Sequence, residues 1–194
     1  MAQPVLARPR TPDTAAPTGQ PHGGAPAATS STRSVHRVGV AGLDAAPGAV
    51  EFLLDAESLT ETTVALAAAR ADVIRLVHSA VLPTPAAVRA LVDVLAAEIA
   101  AVGRDRTEVR VVLQVEAVVA RDEADAARRR EAVTYAEAFS GAVWASSVTW
   151  LVAPVERLVA DAHALAARAQ VDAVELALVG ASAALAPAVA AAAA

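Results

Sequence analysis

Val109-Arg110-Val111-Val112-Leu113-Gln114-Val115-Glu116-Ala117-Val118-Val119 is the longest β-branched run in the chain. Branched side chains are stiff at χ1 and pack well on a pleated surface, so the run reads as a strand. It is nearly continuous in apolar residues and does not alternate cleanly. That pattern belongs to a parallel sheet whose strands are covered by helices. Gln114 and Glu116 are two residues apart and therefore share one face of the strand.

Working outward, helical and extended patterns alternate. Upstream, Val88, Leu91, Val92, Leu95, Ile99 and Val102 fall at helical spacing. Thr84 is placed to cap that helix, Pro85 suits its first position, and Gly103 ends it. Asp72 to Val77 (DVIRLV) and Val50 to Leu54 (VEFLL) read as strands, and Val35 to Val40 as a further short one. Leu59 to Arg70 reads as a helix with Ser58 as its capping residue. Downstream, Arg121 to about Phe139 is a charged helix with acids in its first turn, where the helix dipole favours them. Ser140 to Trp150 is ambiguous, with part of it extended. Pro154 starts a helix through Leu158, Val159, Ala162 and Leu165. Asp172 to Val179 (DAVELALV) is the last strand. Ser182 is placed to cap a terminal helix that Pro187 disturbs and frays.

Strands alternating with helices predict a parallel sheet with right-handed crossovers. A closed barrel needs eight strands and typically ~250 residues. About five strands are visible here, so the sheet is either open or an incomplete barrel.

Composition bounds the function. The chain has 194 residues, 56% hydrophobic but only 3% aromatic, so its core is mostly Ala, Val and Leu. Residues 1–33 are rich in Pro, Thr, Ser, Gly and Ala and cannot bury enough surface to offset their ordering entropy. We expect a disordered tail there and a single α/β domain over 34–194. The net charge of -5 builds no basic field for nucleic acid. All 16 basic residues are arginine, which reads as a coding bias towards GC-rich codons. Cysteine is absent, which excludes disulfides and thiolate chemistry and fits a cytoplasmic location. No secretory signal is visible at the N-terminus. Leu176 to Ala194 is almost wholly apolar, but alanine dominates it and Gly180 and Pro187 interrupt it, so no membrane span is expected.

Five segments, taken in order, carry a resemblance. Phe52 to Ser58 followed by Ala65 to Ile74 resembles a strand, a phosphate loop, a helix and an "ADV" strand. Ala101-Val102-Gly103-Arg104-Asp105-Arg106-Thr107-Glu108-Val109 resembles an "AGRDPxxV" helix end. Ala120 to Ala126 resembles a "TEAEA" helix start, Val152 to Asp161 a "GTPEQVAD" segment, and Val171 to Leu176 a final "GVDGF" strand. Together, over about 46–179, the chain resembles the C-terminal half of a luciferase-like (FMN/F420-dependent) monooxygenase barrel. The resemblance implies an α/β fold, an incomplete (β/α) TIM-type barrel of parallel strands with crossover helices. It also implies a flavin-dependent oxidoreductase, with FMN or F420 held at the C-terminal ends of the strands and a small-molecule substrate.

The departures from that family are specific. Many relatives have a glycine-rich phosphate loop with a serine, because glycine lets backbone amides approach a phosphate. Here the stretch is Asp55-Ala56-Glu57-Ser58-Leu59. Glu57 replaces the glycine, Asp55 adds a second negative charge, and Ser58 sits one position from the expected serine. The N-terminal half of the family barrel is not among the matched segments. Catalysis is therefore expected to depend on a partner, either a self-associated copy or a second chain that covers open sheet edges. The alternative is a non-catalytic interaction module derived from the same fold.

The candidate catalytic residues are His78 and Glu116, and the candidate cofactor-binding residues are Asp55, Ser58 and Gln114. His78 follows a strand, where barrel active-site residues sit. Its structural alternative is a loop histidine bonded to backbone. Gln114 and Glu116 would line a pocket if they point inward, and an exposed face otherwise. His36 and His163 have no metal-ligand partners at useful spacing. Trp144 and Trp150 read as packing anchors.

Overall fold

The computed structural model describes residues 36–43, 47–140 and 146–194. The expected disordered tail at 1–33 and the anchor Trp144 lie outside the described residues. Six strands form one sheet: β1 (Arg37–Val40), β2 (Glu51–Leu54), β3 (Val73–Val77), β4 (Arg110–Val119), β5 (Leu151–Ala153) and β6 (Ala173–Leu178). Every pairing is parallel, in the order β1-β6-β4-β3-β2, and β5 also pairs with β4. Among the described residues the sheet is not closed: β1 and β2 end it, and β5 pairs with β4 alone.

The expected central strand is central. β4 pairs with β3 from Arg110 to Gln114 and with β6 from Val112 to Ala117. Ala117 pairs with both Leu178 of β6 and Leu151 of β5, so those two strands lie on opposite edges of β4. β5 therefore continues the β3 edge, beyond the point where β3 ends.

The helices are α1 (Glu61–Arg70), α2 (Pro85–Ala101), α3 (Glu123–Ser140), α4 (Ser146–Thr149), α5 (Val155–Ala169) and α6 (Ala186–Ala193). α1, α2, α5 and α6 pack successively against one another as a layer. Val111, Leu113, Val115, Ala117 and Val119 of β4 face that layer, as do Ile74, Leu76, Val174 and Leu176. Each fully buried Leu or Ile there contributes about 1.5–3 kcal/mol through the water it excludes. On α5, Leu158, Ala162, Leu165, Ala166 and Ala169 are buried on one stripe, and the alanines let the helix approach its neighbours closely.

α3 does not join the layer. It packs mainly on α4 and β5, and Ala126 in its first turn meets Val118 and Val152 on the opposite face of the sheet. Asp125 fixes this end. Its carboxylate accepts the Arg121 backbone N–H at 3.1 Å and faces Arg129 at 3.0 Å and Arg128 at 3.2 Å. The Arg121 amide first, then the guanidinium of Arg129, hold its carboxyl well below the usual range. Farther along, Tyr135 and Phe139 stack with centroids 4.5 Å apart in open solvent.

Four sequence expectations are corrected. Thr60 caps α1, accepting the Thr63 N–H at 3.2 Å, because Ser58 is already bonded to Asp55. The strand near the ambiguous segment is Leu151–Ala153, just after it, and Ser146–Thr149 is helical. Ser182 does not cap the terminal helix. It is buried, and its hydroxyl accepts the Val119 N–H at 2.9 Å. Pro187 falls in the first turn of α6, where its missing N–H breaks no helical bond. Thr84 and Gly103 act as expected: Thr84 accepts the Ala87 N–H at 3.1 Å, and Gly103 has a φ of +77° just past α2. Among the described residues, no helix is long and apolar enough to cross a membrane.

Candidate functional site

The face turned away from the helix layer is polar. Strand parity puts Arg75, Gln114, Glu116 and Glu175 there, together with the small apolar cluster of Val73, Val112 and Ala173. Gln114 pairs with Val77 on one side and Glu175 on the other, so Gln114 and Glu175 lie side by side on β4 and β6. Gln114 and Glu116 thus share one face, as their spacing predicts.

Arg75, two residues before Val77 on β3, reaches polar partners on both sides. Its guanidinium pairs with Glu175 and with Glu51. Glu175 is buried, so its charge is tolerated only because Arg75 meets it. Sequence reasoning missed this triad. Its signal was a lone charge inside each of two apolar strands, Arg75 in VIRLV and Glu175 in AVELAL.

His78 lies on the other face. It continues the parity of Ile74 and Leu76, and its backbone N–H extends the ladder to the Gln114 carbonyl at 2.9 Å. Its ring Nδ1 lies 3.0 Å from the Thr149 carbonyl, joining the end of β3 to the approach to β5. His78 is 9% exposed, and burial pushes its pKa below the ordinary 6.5. The imidazole is therefore neutral, with Nδ1–H donating to Thr149. The sheet stands between His78 and Glu116, so the two candidate catalytic residues do not form one site.

The loop Asp55–Ser58 is closed on itself. The Asp55 carboxylate accepts the backbone N–H of Ser58 at 2.9 Å and of Glu57 at 3.1 Å. It also accepts the Ser58 hydroxyl at 2.7 Å, while Ser58 Oγ accepts the Asp55 N–H at 2.9 Å. The Ser58 hydroxyl first, then its amide, hold the Asp55 carboxyl below its usual value. A flavin or F420 phosphate needs those amides. Here a carboxylate already occupies them and carries the same sign of charge, so this loop does not fit a phosphate.

Neither a family model nor a curated protein matches the sequence. Solved structures match the fold. EDTA monooxygenase (EmoA) from Chelativorans sp. BNC1 superposes with a TM-score of 0.50 at 13% identity, covering 67% of this chain and 40% of that one. The chain has the fold of part of a luciferase-like monooxygenase barrel. Riboflavin lyase (RcaE), solved with modified FMN and riboflavin, gives 0.48 at 14% identity over 61% of this chain and 37% of that one. An F420-dependent secondary alcohol dehydrogenase gives 0.41 at 10% identity over 66% and 42%. At these identities the likeness is one of fold. The chain spans about two fifths of the length of these three structures. β2, β3 and β4 lie side by side in chain order, as neighbouring strands of such a barrel do, whereas β6 pairs directly with β4 and β5 lies on the β3 edge.

Proposed function

We propose that this chain is a partner-dependent section of a luciferase-like oxidoreductase. Its sheet supplies one polar wall, and a second polypeptide or a second copy, set against β1 and β2, completes the chamber. The observation that carries this reading is an open parallel sheet with its polar side chains on the face away from the layer of α1, α2, α5 and α6. Two unpaired parallel edges are a liability unless something covers them. In that assembly Gln114 and Glu116 line the chamber, both near the middle of β4. Monooxygenase chemistry with FMN or F420 on a small molecule belongs to the assembly. The partner supplies the phosphate contacts that the Asp55 loop cannot make. A cysteine-free chain working with a reduced cofactor suits the cytoplasm.

The Asp55 loop favours a second reading, a non-catalytic interaction module of the same fold. One pair of measurements separates the two. Light scattering gives the assembly, and quenching of FMN or F420 fluorescence gives cofactor binding. We expect the chain to self-associate or capture a second chain, and quenching to saturate only in that assembly. An assembly that quenches neither cofactor is the interaction module. A monodisperse monomer that captures no chain and binds neither cofactor sinks both.

A further inference from the structure

The two ends of the sheet leave complementary backbone groups open. On β1 the Arg37 and Ala41 N–H groups donate to the Asp172 and Leu176 carbonyls. Backbone groups alternate in direction along a strand, so those of Val38 and Val40 point away from the sheet. On β2 the Val50 carbonyl accepts from Asp72 and Val73, so the groups of Glu51, Leu53 and Asp55 point away. The C-terminal end of each edge is closed by its own turn. The Val40 carbonyl accepts the Leu43 N–H at 3.1 Å. Ser58 Oγ lies 3.1 Å from the Leu53 carbonyl and accepts the Asp55 N–H at 2.9 Å. Among the described residues, Val38 stays open on β1 through both its N–H and its carbonyl, as does Glu51 on β2 together with the Leu53 N–H.

Charge marks the two edges with opposite sign. β1 opens onto a hollow of about 830 Å³ whose lining includes His36, Arg37, Arg110 and His163. The one acidic side chain in that lining, Glu175, is already met by Arg75. Arg37 is exposed, and its guanidinium has no partner among the described residues. On β2 the Glu51 side chain is 42% exposed, and Asp55 and Glu57 follow in the next loop.

We propose that β1 of this chain adds to β2 of a second copy as a parallel continuation of the sheet. This rests on the reading above that the edges are covered, and it names what covers them. Val38 then sits between the partner's Glu51 and the partner's Leu53, donating to the first carbonyl and accepting from the second N–H. That register sets Arg37 opposite the partner's Glu51 on one face, and Val38 opposite the partner's Phe52 on the other. It carries the alternation of Glu175, Arg75 and Glu51 one strand further, to Arg37. Sliding by two residues would set Gly39 opposite the partner's Glu51 and leave Arg37 facing the partner's Ala49. Opposite charges directly across a pair favour the first register. Each copy presents one edge of each kind, so two copies satisfy one another.

The native chain has no cysteine, so engineered ones report the joint without background. Chains carrying Gly39→Cys and chains carrying Leu53→Cys, mixed and oxidised, should form a mixed disulfide. The proposed register brings those Cα atoms to strand spacing, about 4.8 Å, which a disulfide spans. Neither chain should cross-link alone, and both keep Arg37 and Glu51. Light scattering of the native chain should give a dimer, and Arg37→Glu should raise its dissociation constant roughly tenfold. Arg37 is exposed and unpartnered, so that variant keeps the fold and decides the matter even if Gly39→Cys does not fold. Self-association without the mixed disulfide in folded chains, cross-linking within either chain alone, or an Arg37→Glu chain that associates unchanged overturns the proposal. A monomer that captures a different polypeptide also overturns it and leaves the partner-dependent reading standing. A monomer that captures nothing overturns both.

Discussion

Asp172 and Val111 hold each other twice. The Asp172 backbone N–H donates to the Val111 carbonyl at 2.9 Å, and the Asp172 carboxylate accepts the Val111 N–H at 2.7 Å. Asp72 and Val50 repeat the arrangement, at 2.8 Å in both directions. In each case an aspartate just before a strand ties down the start of a neighbouring strand, whose first N–H would otherwise lack a ladder partner. The "AD" and "VD" positions that carry the family resemblance are thus register clamps. Asp172→Ala should lower unfolding free energy by about 1–3 kcal/mol, the usual range for a hydrogen bond to a charged group. Asp172→Asn, which keeps an acceptor oxygen, should lose less. Urea denaturation measures both, and equal losses would contradict the clamp.

The Arg75 triad makes an ordered prediction. Removing Arg75 leaves Glu175 charged and buried without a partner, whereas removing the Glu175 charge leaves Arg75 paired with Glu51. Arg75→Met should therefore cost about 3 kcal/mol or more, and Glu175→Gln distinctly less. Denaturant midpoints that rank the variants the other way would mean that Glu175 reaches water.

His78 should make stability depend on pH. Its folded-state pKa is lowered by burial, so the unfolded chain binds a proton more readily than the folded one. The contribution is fully present above pH 6.5, the ordinary value. It is lost progressively as pH falls from there towards the folded pKa. Urea midpoints at pH 7.5 and 5.5 should differ in the native chain, and the difference should shrink in His78→Gln. Asp125, whose carboxyl is held low, adds a separate loss at more acidic pH, below its ordinary 3.8. A His78→Gln chain with an undiminished slope between pH 7.5 and 5.5 would assign the effect elsewhere.

Asp55→Ala should loosen the loop without touching the helix that follows. The Glu57 and Ser58 amides lose their acceptor, while α1 keeps its Thr60 cap. Hydrogen exchange should therefore speed at Glu57 and Ser58 and stay unchanged beyond Val64. Faster exchange throughout α1 would show that the loop, and not Thr60, secures the helix start.

Tyr135 and Phe139 are 66% and 74% exposed, so their stacking is nearly all they contribute. The double alanine variant should change unfolding free energy by less than about 1.5 kcal/mol. A larger loss, read by thermal or urea melts, would mean that these rings are covered in solution.

By itself the sequence determined the elements and their faces. β-branched runs, helical spacing and the Thr84, Pro85 and Gly103 punctuation depend on dihedral preferences and periodicity over a few residues, so the strands, the helices and the pairing of Gln114 with Glu116 on one face were legible. So was the parallel arrangement, because each strand is apolar enough to be covered by crossover helices. Only the tertiary structure decided which polar groups find one another. Ser58 and Thr60 are equally good caps by type, and the choice fell to Thr60 because the Asp55 carboxylate takes the Ser58 hydroxyl. Ser182 was taken by the Val119 N–H from a strand 63 positions away. His78 and Glu116 were separated because the register pairs Val77 with Gln114, which puts them on opposite faces of the sheet. Hydrogen-bond partners distant in sequence leave no periodic trace, so only the folded sheet could assign them.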